Sequence, residues 1–379
     1  MPLFPVTTVG SLPRPTELLR ALKAKRRGDL SVVEFGRIAD QAVRDALALQ
    51  IDTGVDIVTD GEQRRDNFYS FVSEKLDGVK LMSLAEMLDY VEDKAGFERL
   101  LQTLDVPAYA INNPTCIGRI QRRLPLALDE LRFVKEHTDK PVKVPLPGPY
   151  ILTRALWVPE VTGAVYESKE ELGEDVVQIL REEAEELASA GADFIQFDEP
   201  VLTELVFTQG QTRTFMCAAL ASRKDPAEEL EWAVSLLNRV TEGLNVRTGL
   251  HVCRGNWSRN ESTLLRGNYA PLRQWFERMR VDQLVLEYAT PRAGDLFGFE
   301  GEELGLGAVN PRTDEIESPE SIVERVREAL ELMPATSLFL NPDCGFGTFS
   351  ARPMNEPQAV RKKLESLVSA ARILREGAH

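Results

Sequence analysis

The sequence predicts an α/β fold of the (β/α)8 TIM barrel type. Eight short β-branched or apolar runs alternate with long amphipathic helical patterns, which is typical of a parallel sheet whose strands are joined by helices. Polar and reactive residues follow the ends of these runs, at the edge where such barrels hold their active sites. An open doubly wound sheet is the alternative, but no glycine-rich phosphate turn follows the first run.

The predicted elements run along the whole chain. The strands are expected at 6–11, 55–62, 141–147, 194–200, 248–253, 284–287, 304–310 and 337–344, and the helices between them include 32–53, 169–190, 228–243 and 319–332. Two longer excursions interrupt the alternation. One covers about 67–138 and holds a strand-like piece at 114–121; the other covers 205–224 and carries Cys217. Because long loops on a barrel's upper face commonly cover the site, we expect one domain, 1–379, with these two insertions over the C-terminal face.

Charge and composition exclude some partners. The chain has 379 residues and a formal net charge of −15, which disfavours binding to nucleic acid phosphates or to an anionic membrane. No run of apolar residues is long enough for a membrane span, and the amino terminus lacks the pattern of a signal peptide. Four cysteines lie far apart in the sequence, as suits a reducing compartment. We therefore expect a cytoplasmic protein.

The sharpest local signal is the pair His251 and Cys253 in the segment GLHVCRGNW. Residues two apart in a strand point to the same side, so the imidazole and the thiol converge on one point. Zinc accepts this mixture of nitrogen and sulfur ligands. A buried cysteine that merely fills apolar space is the alternative reading of the same pattern.

Two further residues at neighbouring strand ends strengthen the metal interpretation. Glu287 closes the otherwise apolar run LVLE, where an ionised carboxylate is costly unless it meets a cation. Cys344 follows another apolar strand and enters a glycine-rich turn. The alternatives are a salt bridge from Glu287 to Arg254 or Arg292, and simple turn packing for Cys344. Four such side chains at adjacent strand ends predict one metal site.

Several motifs are similar, in order, to one known family. They are TTVGSLPRP, DGEQRRDNF, IQFDEPVLTE, HVC, LEY and NPDCGFGT. On these motifs the chain resembles the catalytic domain of cobalamin-independent methionine synthases and their shorter single-barrel relatives. The resemblance implies a zinc-containing (β/α)8 barrel, and His251, Cys253, Glu287 and Cys344 fall on its zinc ligands.

The resemblance also implies a site for an amino acid. Val9, Gly10 and Ser11 fall where backbone groups hold its carboxylate, and Glu62 and Asp198 fall on the residues that hold its ammonium group. Free N–H donors in a Gly-Ser turn suit a carboxylate, and two carboxylates suit an ammonium group. The alternatives are that Glu62 complements a helix dipole and that Asp198 belongs to a salt-bridged barrel rim.

The methyl donor is less well defined by the sequence. By the same resemblance, Glu204 falls on a residue that contacts the folate pterin, and Trp157 and Arg119 lie near folate-contacting segments; surface packing is the alternative for Trp157. The family's histidine proton donor has no counterpart in the matching stretch GLGAVNPRTDEIES. A tertiary amine leaving group needs a proton, so the donor stays open among methyltetrahydrofolate, a methylcorrinoid (free or on a carrier protein) and another methyl donor such as a sulfonium.

The sequence thus predicts a zinc-dependent thiol methyltransferase that converts homocysteine to methionine. A zinc-dependent alkyl transferase for another thiol or electrophile, similar to epoxide:coenzyme M transferases, is the nearest alternative. A sulfonate thiol, however, has no ammonium group for Glu62 and Asp198 to bind. A metal-free enzyme like the uroporphyrinogen decarboxylases and a non-catalytic zinc-binding protein are further alternatives; the complete zinc set disfavours the decarboxylase.

Overall fold

The centre of the molecule is a parallel sheet of six strands. The computed structural model of the chain describes residues 1–90, 94, 112–207, 225–261, 264–299, 301–350 and 354–377. The strands pair in sequence order, and each is almost wholly buried, as expected for a parallel sheet covered on both faces. They are β3 Lys143–Pro147, β4 Phe194–Asp198, β5 Arg247–Val252, β6 Gln283–Glu287, β7 Glu303–Val309 and β8 Leu338–Pro342.

The first two predicted strands, 6–11 and 55–62, are not strands in the structure, and this prediction was wrong. Each contributes isolated parallel bridges instead: Val6 pairs with Leu340, Thr7 with Ile57, and Val58 with Val142. The two segments therefore lie between the free edges of β8 and β3, but the hydrogen-bonded pairing is too short for a strand. What the described residues show is an α/β fold with a six-stranded parallel sheet.

The first predicted insertion contains a separate two-stranded antiparallel sheet. It is formed by β1 Leu76–Ser83 and β2 Asn112–Arg122, so the strand-like piece predicted at 114–121 is confirmed. Residues 91–93 and 95–111 of this insertion lie outside the described residues. Most of the second insertion, 208–224 with Cys217, and the terminal His379 also lie outside them.

The long predicted helices are present, with ends shifted by at most two residues. Their boundaries follow local sequence signals: Ser31 and Glu34 form a capping box before Val32–Thr53, and Gly54 closes that helix at φ +90°. None of the helices in the described ranges is long and apolar enough to cross a membrane. The α-helices are α1 Thr16–Arg27, α2 Val32–Thr53, α3 Leu84–Met87, α4 Leu128–Lys135, α5 Pro149–Leu156, α6 Pro159–Thr162, α7 Lys169–Ser189, α8 Val201–Phe207, α9 Pro226–Thr241, α10 Arg273–Phe276, α11 Pro319–Leu330 and α12 Pro357–Gly377.

The register of the parallel sheet brings the predicted site residues to one edge. Asp198, the last residue of β4, pairs with His251 near the end of β5. Glu287, the last residue of β6, pairs with Gly307 of β7. Cys344 follows the end of β8 by two residues. The carboxyl ends of the strands therefore assemble side chains that are far apart in sequence.

Candidate functional site

A pocket lies at this edge and joins most of the predicted site residues. It contains about 450 Å³ of empty space, part of it open to solvent. Its lining includes, among the predicted residues, Val9, Ser11, Glu62, Asp198, His251, Cys253 and Cys344. The other lining residues were not predicted from the sequence; they are Phe68, Pro200, Asn256, Trp257, Gly345, Thr348 and Phe349.

Three of the four predicted metal ligands form a tight group. One ligand atom each from His251, Cys253 and Cys344 lies within 4.8 Å of the others, and all three side chains are buried. The Nε2 atom of His251 is buried without a hydrogen-bond partner, although buried polar atoms are nearly always satisfied. A nitrogen and two sulfurs around one point, with the nitrogen lacking a partner, fit a metal ion bound by protein side chains.

Asp198 fixes the orientation of this histidine. Its Oδ1 atom lies 2.9 Å from Nδ1 of His251 and accepts a 2.8 Å hydrogen bond from Nε2 of Gln196. Gln196 also donates to the carbonyl of Val9 at 2.9 Å. A carboxylate that accepts from Nδ1–H leaves Nε2 as the ligand atom, which is the usual arrangement behind metal-bound histidines. Gln196 was not predicted as a site residue. A glutamine within the otherwise apolar run that leads to Asp198 in β4 was the sequence signal that could have indicated it.

The three side chains alter one another's pKa values. Burial by itself lowers the pKa of His251, but the hydrogen bond with Asp198 and the nearby Cys344 thiol raise it to about 10. The neighbouring Cys253 and His251 lower the pKa of the Cys344 thiol to about 6, against the effect of burial. Cys344 and burial raise the pKa of Cys253 well above its ordinary value. Binding of a metal ion by these side chains would release their protons.

Glu287, the fourth predicted ligand, is held by basic and amide side chains. Its Oε2 atom accepts from Arg292 at 3.1 Å and from Arg254 at 3.3 Å, and Oε1 accepts from Asn256. Burial raises the pKa of this carboxyl, but Arg292 and Arg254 outweigh that effect, so its pKa is lowered. The salt bridges of Glu287 with Arg254 and Arg292, the alternative to metal binding, are thus present. Coordination by Glu287 stays a prediction.

Glu62 lines the same pocket in an unusual backbone conformation. Its φ angle is +52°, a left-handed geometry that few residues other than glycine adopt. Its Oε2 atom is buried without a partner. Burial raises the pKa of its carboxyl to about 8; Arg65 opposes this effect and the charge of Asp198 adds to it. Gly10, which does not itself line the pocket, packs so closely that a Cβ there would overlap the Glu62 carboxyl.

The three predicted folate contacts do not line this pocket. Glu204 is fully buried in α8 and interacts electrostatically with Arg154. Trp157 caps the carboxyl end of α5 and packs, partly buried, on the core. Arg119 lies on β2 with 54% of its side chain exposed and forms ion pairs with acidic residues of α7. Their assignment to a methyl donor stays a prediction.

The fold and site together define an α/β protein with a buried His-Cys-Cys group, suited to a metal ion, at the carboxyl ends of its parallel strands. The family described as "Cobalamin-independent synthase, Catalytic domain" matches residues 4–373. The chain therefore belongs to this family, and it is an enzyme of the methyltransferase class.

Named relatives and solved structures agree with this assignment. The chain is 30% identical to a "Methionine synthase" of Thermococcus kodakarensis, covering 99% of this chain and 94% of that protein. For the "Methionine synthase" of Saccharolobus solfataricus the identity is 29%, with 99% and 96% covered. A B12-independent methionine synthase from Shewanella sp. W3-18-1, solved with selenomethionine, superposes with a TM-score of 0.73 at 26% identity, covering 99% of both chains.

Proposed function

We propose that this chain is a zinc-dependent methyltransferase that methylates the thiol of homocysteine to give methionine. The observation that carries the proposal is the position of the His251, Cys253 and Cys344 group beside Glu62 and Asp198 in one pocket. Such a pocket would offer a metal ion to the thiol and carboxylates to the ammonium group, as an amino-acid thiol requires. The relatives named methionine synthase support the same substrate.

We also infer that the six-stranded sheet closes into a (β/α)8 barrel within a single domain. The isolated bridges at Val6, Thr7 and Val58 support this inference, because they link the edge of β8 to the edge of β3. In such a barrel the pocket would lie at the mouth, where catalytic residues of this fold are found.

The residues of the chain would act by binding and orientation. Zinc held by His251, Cys253 and Cys344 would keep a bound substrate thiol in its thiolate form, the nucleophilic species. Glu62 and Asp198 would hold the ammonium group and so direct the sulfur towards the methyl donor. Such fixed geometry lowers the barrier to transfer by removing motional freedom in advance.

The methyl donor remains the open part of the proposal. Of the histidines that the structure describes, His137 lies on the surface and His251 belongs to the metal group, so the described pocket offers no spare imidazole to protonate a folate nitrogen. The corrinoid option finds no support, since the Shewanella neighbour is named B12-independent. A folate with another proton source and a sulfonium are the donors to test.

Metal content and product formation test this function. Cys253→Ala and Cys344→Ala are expected to lose bound zinc, whereas Cys116→Ala, which removes a buried cysteine outside the group, is expected to retain it. The zinc-loaded protein is then incubated with homocysteine and each donor (methyltetrahydrofolate or S-methylmethionine), and methionine is measured by mass spectrometry. Full zinc stoichiometry in Cys253→Ala would refute the ligand assignment, and no methionine from any donor would refute the homocysteine assignment.

A further inference from the structure

Arg14 is a buried cation that contacts the backbone of loops around the pocket without lining the pocket itself. It lies three residues after Ser11 in the segment GSLPRP, and only 5% of its surface is exposed. Its Nη2 atom donates to the carbonyl of Glu62 at 2.8 Å, and its Nη1 atom donates to the carbonyl of Gly347 at 2.6 Å. One guanidinium group therefore joins its own loop to two others, which lie 48 and 333 residues away along the chain.

The first of these contacts holds Glu62 in its left-handed conformation. The N–H of Glu62 donates to Oδ1 of Asp60 at 2.9 Å, while its carbonyl accepts from Arg14 and from the N–H of Arg65. Residues with such a φ angle persist only where their surroundings determine them. The direction of the Glu62 carboxyl into the pocket thus depends on these backbone contacts.

The second contact holds the loop that carries Cys344. The N–H of Phe346 donates to the carbonyl of Ser11 at 2.9 Å, and the N–H of Gly347 lies 3.3 Å from the Ser11 hydroxyl. A Cβ on Gly347 would come within 2.6 Å of the carbonyl oxygen of Leu12, so the two loops approach as closely as glycine permits. The bond from Arg14 to the carbonyl of Gly347 adds to this contact.

We propose that Arg14 is a positioning residue that sets the distance between the Glu62 carboxyl and the metal-binding Cys344. This inference rests on the proposed function, because that distance matters for a substrate with an ammonium group at one end and a thiol at the other. Arginine suits the task, since its planar fork donates in two fixed directions, whereas lysine donates from one flexible point.

The test compares two thiols that differ only in the amino group. Homocysteine and 4-mercaptobutyrate are titrated calorimetrically into the zinc-loaded full-length protein. The wild type is expected to prefer homocysteine. In Arg14→Gln and Arg14→Lys this preference is expected to fall by about tenfold to a hundredfold, the usual effect of misplacing a binding group by about 1 Å. Zinc stoichiometry is expected to stay at the wild-type level, because His251, Cys253 and Cys344 themselves are unchanged. The affinity for 4-mercaptobutyrate is expected to fall much less than that for homocysteine, because only homocysteine must reach both the metal site and the Glu62 carboxyl.

Controls separate positioning from folding and from charge. Arg26→Gln removes a surface arginine paired with Asp66 and is expected to leave the preference unchanged. Arg14→Lys keeps the positive charge, and it decides the question if Arg14→Gln does not fold. The inference is overturned if a folded Arg14 variant keeps the wild-type preference, or if it loses affinity for both thiols equally. A wild type that does not prefer homocysteine contradicts the proposed function itself, and the inference with it.

Discussion

The raised pKa of Glu62 predicts that recognition of the substrate's ammonium group depends on pH. Binding of a thiol without an ammonium group is not expected to depend on Glu62. With a pKa of about 8, the carboxyl is about 10% ionised at pH 7 and about 1% ionised at pH 6. Only the ionised form binds an ammonium group strongly. The preference for homocysteine over 4-mercaptobutyrate is therefore expected to fall about tenfold for each pH unit below 8.

The same effect can be measured as the number of protons released on binding, by calorimetry in buffers of different ionisation enthalpy. At pH 7, homocysteine is expected to release about 0.9 proton more than 4-mercaptobutyrate does, because Glu62 must ionise to bind it. Protons lost from the substrate thiol and from His251, Cys253 and Cys344 are common to both ligands and cancel in the difference. The 4-mercaptobutyrate titration is thus the internal control.

Glu62→Gln gives the matched variant for this prediction. Glutamine resembles the protonated carboxyl, so the variant is expected to show the low preference of wild type at pH 6 over the whole range from pH 6 to 9. Equal proton release by the two thiols in wild type would refute the reasoning. So would a preference in Glu62→Gln that still follows pH with the wild-type slope.

Substitutions at three positions test other contacts of the site. Asp198→Asn is expected to weaken zinc binding about 10- to 100-fold in a chelator competition, because His251 loses its fixed tautomer; unchanged affinity would contradict this. Gly148→Ala places a Cβ against the carboxyl of Glu199, which caps α5, and is expected to lower the free energy of unfolding in urea by about 1–3 kcal/mol. Glu62→Gln is expected to stabilise the metal-free protein relative to wild type, by an amount that grows from pH 4.5 to pH 8, since the wild-type carboxyl loses its proton on unfolding in that window; a difference independent of pH would contradict this.

The parallel strands were predictable because burial on both faces makes them short apolar runs. Strands β3 to β8 lie inside or within a residue of the predicted runs, apart from small shifts at their ends. The segments at 6–11 and 55–62 look alike in sequence, yet they pair through single bridges. Pairing length depends on how neighbouring segments meet in space, and a hydrophobic pattern does not contain that information.

The site was predictable where side chains point along a strand end, and unpredictable where they come from loops. The spacing of His251, near the end of β5, and Cys253, the residue after this strand, predicted that their side chains converge. The register of the sheet brought Asp198 beside His251. Asn256 and Trp257 follow in a loop whose path the sequence pattern does not define. Among the predicted folate contacts, Trp157 and Arg119 relied on a loose match, whereas Glu204 lies within the motif IQFDEPVLTE. None of the three lines the described pocket.

The two buried glutamates of the site differ in how their charge is balanced. Glu287 meets two arginines, Arg254 and Arg292, which lower its pKa despite burial; the chain itself compensates this charge. Arg65 and Arg14 oppose burial at Glu62 only in part, so its pKa stays raised. A buried carboxyl that the protein leaves under-compensated gains most from a cation brought by a ligand. This difference favours Glu62, and not Glu287, as the residue that meets the substrate's ammonium group.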